Sequence, residues 1–238
     1  MKLRAKLREG VKMLGLSLTP GQEEQFLEYY ACLEQAGRKT NLTSIKGEDV
    51  IELHFLDSLT GALYLPFQKQ DLLLDVGSGA GFPGLALKIY RPDLRLHIID
   101  SAQKKLRFLT EVITRLSLED VVLFHGRAEE YGQKEDFRGK YPWVAARALA
   151  PLPSLLELCL PFVATGGIFC AYKGPEGLKE LNDSFKALSF LGGVYLENHR
   201  LTLPYTGANR CLLFFQKEKE SKPQYPRRAG LPARKPIQ

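Results

Sequence analysis

The sequence predicts an α/β fold: a mostly parallel sheet covered by helices, preceded by an all-helical region. Three features carry that expectation. From residue 72 onward, short apolar runs alternate with helical stretches, the pattern of a parallel sheet with both faces covered. The first run ends in a glycine-rich turn, Asp75-Val-Gly-Ser-Gly-Ala-Gly-Phe-Pro-Gly84. Residues 1–66 show helical spacing only.

The spacing predicts helices over 3–13, 20–36 and 48–63. In the second, Phe26, Leu27, Tyr30 and Leu33 recur at intervals of three and four. Pro20 suits a first turn and Gly37 a helix end. NLTSI at 41–45 reads as a turn-like link, and Pro66 closes the region. The expected strands are LLLDVG (72–77), RLHIID (95–100), VVLFHG (121–126), WVAARA (143–148) and GGIFCAYK (166–173), with helices over 84–90, 103–116, 154–163 and 176–190 between them. Residues 193–218 read as two long strands around PYTGANR, an antiparallel pair at the sheet edge. The expected units are a helical region (1–66), an α/β core (67–218) and a basic, flexible tail (219–238). The tail has four prolines and few large apolar residues, too few to build a core of its own.

With 238 residues, 45% of them hydrophobic and 25% charged, the chain can bury a core without metals or disulfides. A disordered chain, a collagen and a coiled coil are excluded. The longest uncharged stretch, Leu158–Tyr172, is fifteen residues broken by Pro161, Gly166 and Gly167. That is short of the ~20 a membrane span needs. The N-terminus lacks the apolar run of a secretory signal, so the chain is expected to be cytoplasmic. Cys32, Cys159, Cys170 and Cys211 form no C-x-x-C and no zinc pattern; reduced core thiols are expected and no metal. Of the net charge of +6, residues 1–12 carry +4 and residues 218–238 another +4, leaving −2 for the rest. Basic ends suit a polyanion such as nucleic acid, or serve only solubility.

The glycine turn is the strongest signal. Gly77, Gly79 and Gly81 allow a sharp turn and close approach of a ligand to backbone. Pro83 then opens a helix whose free N–H groups favour a polar or anionic group. Residues 79, 81 and 84 also satisfy G-x-G-x-x-G, so a dinucleotide site is equally open. Asp100 ends the second strand, where a carboxylate accepts hydrogen bonds from ribose hydroxyls, in NAD or S-adenosylmethionine alike. Asp100 or Ser101 can instead cap the next helix. After the third strand, Ala128 and Glu129 stand where a loop covers an adenine; the alternative is the acidic first turn of a helix. Arg147, after the fourth strand, faces the ligand crevice of an open α/β sheet, within reach of a cofactor carboxylate or a substrate base. No N-P-P-Y or D-P-P-Y grips an exocyclic amine, and no Pro-Cys nucleophile serves a pyrimidine C5 reaction. A dehydrogenase would need further length for its own acid or base.

These residues resemble the bacterial ribosomal RNA small subunit methyltransferase G family, also called glucose-inhibited division protein B. The likeness runs over nearly the whole chain. It includes NLTSI at 41–45, His54 with Asp57-Ser58-Leu59, DVGSGAGFPGLALKI at 75–89, Asp100-Ser101 with Lys104-Lys105, GRAEE at 126–130, ARALAPL at 146–152, Lys173-Gly174 and YPRRAGLP at 225–232. Two departures are Ala86, where proline is common, and EQAGRKT before the link, which lacks a Trp-Asn pair. The resemblance implies a class I S-adenosylmethionine-dependent methyltransferase with a seven-stranded, Rossmann-like sheet. It implies methylation of N7 of one guanine in 16S ribosomal RNA near the decoding centre. Cofactor contacts are then implied at Gly77, Phe82, Asp100, Ser101, Ala102, Ala128, Glu129 and Arg147, with no catalytic side chain and no metal. The expected partner is 16S ribosomal RNA or a small-subunit particle, and the expected state a monomer. Guanine N7 carries an in-plane lone pair and needs no general base, so the protein's part is positioning. The tail is expected to order against RNA, so that its removal weakens RNA binding and spares the cofactor.

Overall fold

The computed structural model describes residues 2–37 and 42–237. Residues 38–41, which hold the end of EQAGRKT and the first residue of NLTSI, lie outside them.

Seven strands form one sheet: β1 (Leu72–Val76), β2 (Arg95–Asp100), β3 (Val121–His125), β4 (Tyr141–Arg147), β5 (Val163–Lys173), β6 (Gly193–Thr202) and β7 (Asn209–Lys217). Their order is β3-β2-β1-β4-β5-β7-β6, parallel through β5, with β7 antiparallel to both neighbours. This is the class I methyltransferase sheet. The side-chain period of two assigns alternate residues to opposite faces. Leu73, Ala145, Cys170, Leu212 and Phe214 point to one cluster, and Leu74, Val144, Ala146, Phe169, Leu213 and Phe215 to the other.

The first face is covered by α1 (Lys2–Met13), α2 (Pro20–Gly37), α4 (Gly84–Tyr90) and α5 (Gln103–Arg115); a single turn, α3 (Asp57–Leu59), lies among them. α1 buries Leu7, Gly10 and Val11 at helical spacing, and Gly10 leaves room for Leu56, which a Cβ would meet at 2.4 Å. α2 starts on a reciprocal cap: Thr19 N–H donates to Gln22 Oε1 (2.9 Å) and Gln22 N–H to Thr19 Oγ1 (3.2 Å). The second face is covered by α7 (Leu152–Cys159), α8 (Gly177–Asn182), α9 (Phe185–Leu191) and the C-terminal segment; α6 (Ala128–Tyr131) is a short turn after β3.

The elements depart from expectation where side chains intervene. The helix expected over 48–63 is a π-helical turn (Ile51–Leu56), α3 and a 3-10 turn (Thr60–Leu63). Tyr172 inserts here. Its hydroxyl donates to the Ser58 carbonyl (2.9 Å), and a Cβ at Gly61 would lie 1.9 Å from it. The helix expected over 154–163 gives way to a 3-10 turn at Leu160–Phe162, where Pro161 has no N–H to continue it. That over 176–190 breaks at Ser184, whose hydroxyl bonds back to the Glu180 carbonyl (2.7 Å).

The C-terminal segment is a correction. It was expected to be flexible, and it is seated on the fold, ending in a short turn, α10 (Leu231–Arg234). Its own apolar content is low, but the core offers it polar partners. Glu157 on α7, fully buried, accepts from the Arg227 backbone N–H (2.8 Å), from Nε (2.9 Å) and from Nη2 (2.6 Å). Arg138 donates to the carbonyls of Ser221 (2.7 Å) and Tyr225 (2.6 Å), and Ser154 Oγ to that of Pro232 (2.8 Å). The basic N-terminus is likewise built into the fold and largely neutralised there. Arg8 makes a two-pronged pair with the buried Glu23 (2.7 Å each), Arg4 pairs with Glu24, and Lys2 and Lys6 pair with Glu48 (3.0 and 3.6 Å).

Candidate functional site

The carboxyl ends of β1, β2, β3 and β4 surround a cavity of about 360 Å³. The glycine turn enters its wall at Gly77. Gly77, Gly79 and Gly81 all have positive φ (+69°, +64° and +103°), conformations that disfavour any residue with a Cβ. Asp75 holds the turn from beneath. Its Oδ2 accepts from Ser78 Oγ (2.5 Å) and from Gly84 N–H (2.7 Å), and a Cβ at Gly84 would lie 2.6 Å from it. Burial pushes the Asp75 carboxyl up to about 6.

Asp100, buried at the end of β2, ties two loops together. Its Oδ2 accepts from Gly79 N–H (2.9 Å) and its Oδ1 from Ala102 N–H (2.8 Å), with Lys105 Nζ 3.9 Å away. No side chain caps α5, so Asp100 braces the loop before the helix and does not cap it. It holds the residue that precedes α5, and each oxygen keeps a second lone pair for a ligand. Ser101, Ala128 and Glu129 line the cavity with Gly77, Lys105, Arg127, Ala148 and Leu149. Ala102 is set back and contributes its N–H to Asp100. Glu129 is buried, and its Oε1 accepts from the N–H of Gly230 in the C-terminal segment (2.8 Å). Gly230 and Ala233 are themselves part of the cavity wall.

Phe82 and Arg147 stand one layer further on. Arg147 borders a second cavity of about 430 Å³ that adjoins the first at Ala148, which lines both, whereas Phe82 is buried behind His54 and lines neither. Ala148 has φ +52°, so the chain turns sharply between the two. Arg147 is a side chain fixed on three sides. It donates to the Leu53 carbonyl (2.9 Å), to Asp57 Oδ2 (2.9 Å) and to His54 Nδ1 (2.8 Å), with its guanidinium 5.1 Å from the centre of the Phe82 ring. A guanidinium only donates, so His54 Nδ1 is the acceptor and Nε2–H donates to Thr43 Oγ1 (2.8 Å). The imidazole stacks on Phe82 (4.4 Å, 9°). Burial, then the Arg147 charge, pushes His54 down to about 3, so the ring is neutral at ordinary pH. Arg210, from β7, places Nε 3.0 Å from the other oxygen of Asp57. Tyr172, Lys173 and Glu180 complete the wall, with Lys173 Nζ 2.7 Å from Glu180.

The structure thus gathers Gly77, Asp100, Ser101, Ala128 and Glu129 around one cavity. Ala102 lies behind it, Arg147 lines the next cavity, and Phe82 is buried and lines neither. The sequence reading gave no role to His54, Asp57, Lys173 and Arg210. The first three sit in segments quoted for the family resemblance, the only signal that could have found them; Arg210 carried none. Among the described residues, no cluster of acidic, His or Cys side chains is placed to hold a metal ion.

A model of the rRNA small subunit methyltransferase G family matches residues 22–204. The chain belongs to that family. Ribosomal RNA small subunit methyltransferase G of Alkaliphilus metalliredigens is 42% identical over 238 residues, all of both chains. That of Geobacillus kaustophilus is 44% identical over 225 residues, 94% of each. Among solved structures, the precorrin-6y C5,15-methyltransferase of Geobacter metallireducens aligns with a TM-score of 0.50 at 14% identity, over 67% of this chain and 87% of that one. The fibrillarin pre-rRNA processing protein of Methanococcus jannaschii aligns at 0.51 and 12%, over 65% and 70%. Likeness at that level shows the class I methyltransferase fold. The family match, from α2 to just past β6, covers most of both cavity linings and leaves out Arg210 of the second and Gly230 and Ala233 of the first.

Proposed function

We propose that this protein transfers a methyl group from S-adenosylmethionine to N7 of a guanine in 16S ribosomal RNA, as a monomer in the cytoplasm, on free RNA or a small-subunit particle. The observation that carries the reading is the pair of cavities meeting at Ala148: one walled by backbone and acidic groups, the other by fixed cations and a neutral ring.

The first cavity has the size of a small-molecule site, and its residues fit this cofactor. Asp100 retains lone pairs for a ribose diol, and Ala128 with Glu129 offers backbone and carboxylate to an adenine edge. Gly77 and the glycine turn let a methionine chain approach the backbone closely. Arg147, with Phe82 packed behind it, flanks the junction where the cofactor's reactive end would face the acceptor. When bound, S-adenosylmethionine supplies an electrophilic methyl group on a sulfonium. The chain's own residues hold and exclude. Asp100 fixes the turn, Ala148 bends the strand end away, and His54, backed by the stacked Phe82 ring, makes a flat wall of the second cavity.

The acceptor side supports a nucleophile that needs no deprotonation. His54 is neutral, with both ring nitrogens engaged, and both Asp57 oxygens face arginines. Both His54 nitrogens are committed, and guanine N7 asks for no base. RNA as the acceptor is supported by the names of the family relatives and by the exposed cations Lys222, Arg228, Arg234 and Lys235. The guanine must be unstacked to enter such a cavity.

The test is transfer of labelled methyl from S-adenosylmethionine to small ribosomal subunits that lack the modification, followed by nuclease digestion and mass spectrometry. A single new 7-methylguanosine is expected. Cofactor binding without methylated RNA would move the acceptor to a small molecule or a protein.

A further inference from the structure

The C-terminal segment is the one region that both departs from its expected behaviour and touches the first cavity. It leaves β7 at Lys217, crosses the second face and returns to the carboxyl ends of the strands. Along the way the fold holds it by side chains with little other use. Gln133 Nε2 donates to the Pro226 carbonyl (2.7 Å), and Pro226 packs on Gly132, where a Cβ would lie 2.8 Å from it. Tyr225 stacks on Phe190 (6.1 Å, 11°), and Ile237 is buried in the second-face core. The strongest anchor is Arg227 on Glu157. That carboxylate is fully buried, and without Arg227 it would lose its charge partner.

Beyond that anchor the chain turns through Gly230, whose φ is +77°, and this turn aims the Gly230 N–H at Glu129 Oε1. Glu129 is the residue that faces the adenine side under the reading above. One oxygen is thereby spoken for, and the carboxylate is held in one orientation. Ala233, one helical turn on, closes the same side of the cavity with a methyl group.

We infer that residues 221–237 are a wall of the cofactor cavity and set cofactor affinity: Arg227 on Glu157 seats the segment, Gly230 positions Glu129, and Ala233 bounds the cavity. The inference rests on the reading of that cavity as the S-adenosylmethionine site. It reverses one expectation from the sequence. Loosening this segment weakens the cofactor, and not RNA alone. Gly230 and Arg227 are positioning residues, because they act through Glu129.

The test uses S-adenosylhomocysteine as the probe and reads binding and backbone exchange, not turnover. Titration calorimetry gives its Kd for the parent protein, Arg227→Ala, Arg227→Lys and Ala233→Trp. Hydrogen exchange follows the amides of 226–236. The ligand should slow exchange at Gly230 and Leu231 in the parent. Arg227→Ala should exchange faster across the segment and bind at least tenfold more weakly, with Arg227→Lys between the two. Ala233→Trp should leave exchange elsewhere unchanged and also bind at least tenfold more weakly, since Ala233 is exposed and its bulk projects into the cavity mouth. If Arg227→Ala does not fold, Ala233→Trp decides alone. A freed segment with Kd within twofold of the parent overturns the inference, as does a Trp at 233 that costs nothing. A parent that binds no S-adenosylhomocysteine overturns the cofactor reading and this inference with it. A parent that binds, with variants that bind equally, overturns the inference alone.

Discussion

The two cavities that meet at Ala148 are built in opposite ways. The first is a backbone site. Its wall runs along the strand-end loops, and its fixed groups are Asp100 and Glu129, each holding a main-chain N–H. The second is a side-chain site. Its walls come from the link, the π-helical turn, α3, and the ends of β4, β5 and β7, and what holds them together is Arg147 and Arg210 around Asp57. A site made of backbone needs a local conformation, which a short motif can specify. A site made of side chains needs the whole fold to assemble it.

The difference can be broken or sharpened by substitution. The largest effect is expected at Asp100. Asp100→Ala frees the Gly79 and Ala102 amides at once, two charge-assisted hydrogen bonds of roughly 1.5–3 kcal/mol each. S-adenosylhomocysteine affinity should fall by about a hundredfold, with RNA affinity in a filter-binding assay unchanged.

Next comes Arg147→Ala. It takes one partner from the buried Asp57 and leaves His54 Nδ1 an acceptor without its donor. Urea unfolding should show a loss of about 3 kcal/mol, the cost of breaking a buried pair. The companion Arg210→Ala leaves Asp57 paired with Arg147. It should mainly raise KM for RNA, with S-adenosylhomocysteine affinity within twofold of the parent.

The cavities should also respond oppositely to pH. His54 in the folded protein titrates near 3, below its ordinary 6.5. The unfolded chain then binds a proton that the fold refuses, so this contribution is present above about pH 6.5 and is lost as pH falls. Asp75 titrates near 6, above its ordinary 3.8. The folded protein keeps a proton the unfolded chain gives up, so this contribution is present below about pH 4 and is lost as pH rises through 6. Stability between pH 4 and 6.5 should therefore lose its upward slope in His54→Gln and its downward one in Asp75→Asn, measured by urea midpoints. Each effect is of the order of a few kcal/mol at most.

The smallest effect concerns the two basic ends, equal in charge on paper. Replacing Arg228, Arg234 and Lys235 with alanine should lower the salt dependence of RNA binding by about 2 in the log–log slope. The same change at Lys2, Arg4 and Lys6 should leave it unchanged, because Glu24 and Glu48 already neutralise those residues.

What the sequence made legible follows the same division. The seven-stranded sheet, its antiparallel edge and the turn at 75–84 are written in local periodicity and glycine spacing, and the structure has them. Asp100 and Glu129 stood out in the sequence because of their places at strand ends, and both line the first cavity. Arg210 was missed because its meaning lies in Asp57, on a separate element. The C-terminal segment was misjudged for a related reason. Its composition cannot order it alone, and the buried Glu157 that seats it is just one more residue of an apolar helix in the sequence. The charge at the N-terminal end misled in the same way, since a count of cations does not reveal Glu23 and Glu48 waiting in the fold.

The most direct test of the two-cavity account is a crystal structure with S-adenosylhomocysteine and 7-methylguanosine monophosphate bound together. The account predicts the adenosine against Asp100 and Glu129, the sulfur end at Ala148, and the guanine ring in the second cavity beside Arg147 and Arg210. A cofactor product that runs through both cavities, or a base bound elsewhere with the second cavity empty, would contradict it.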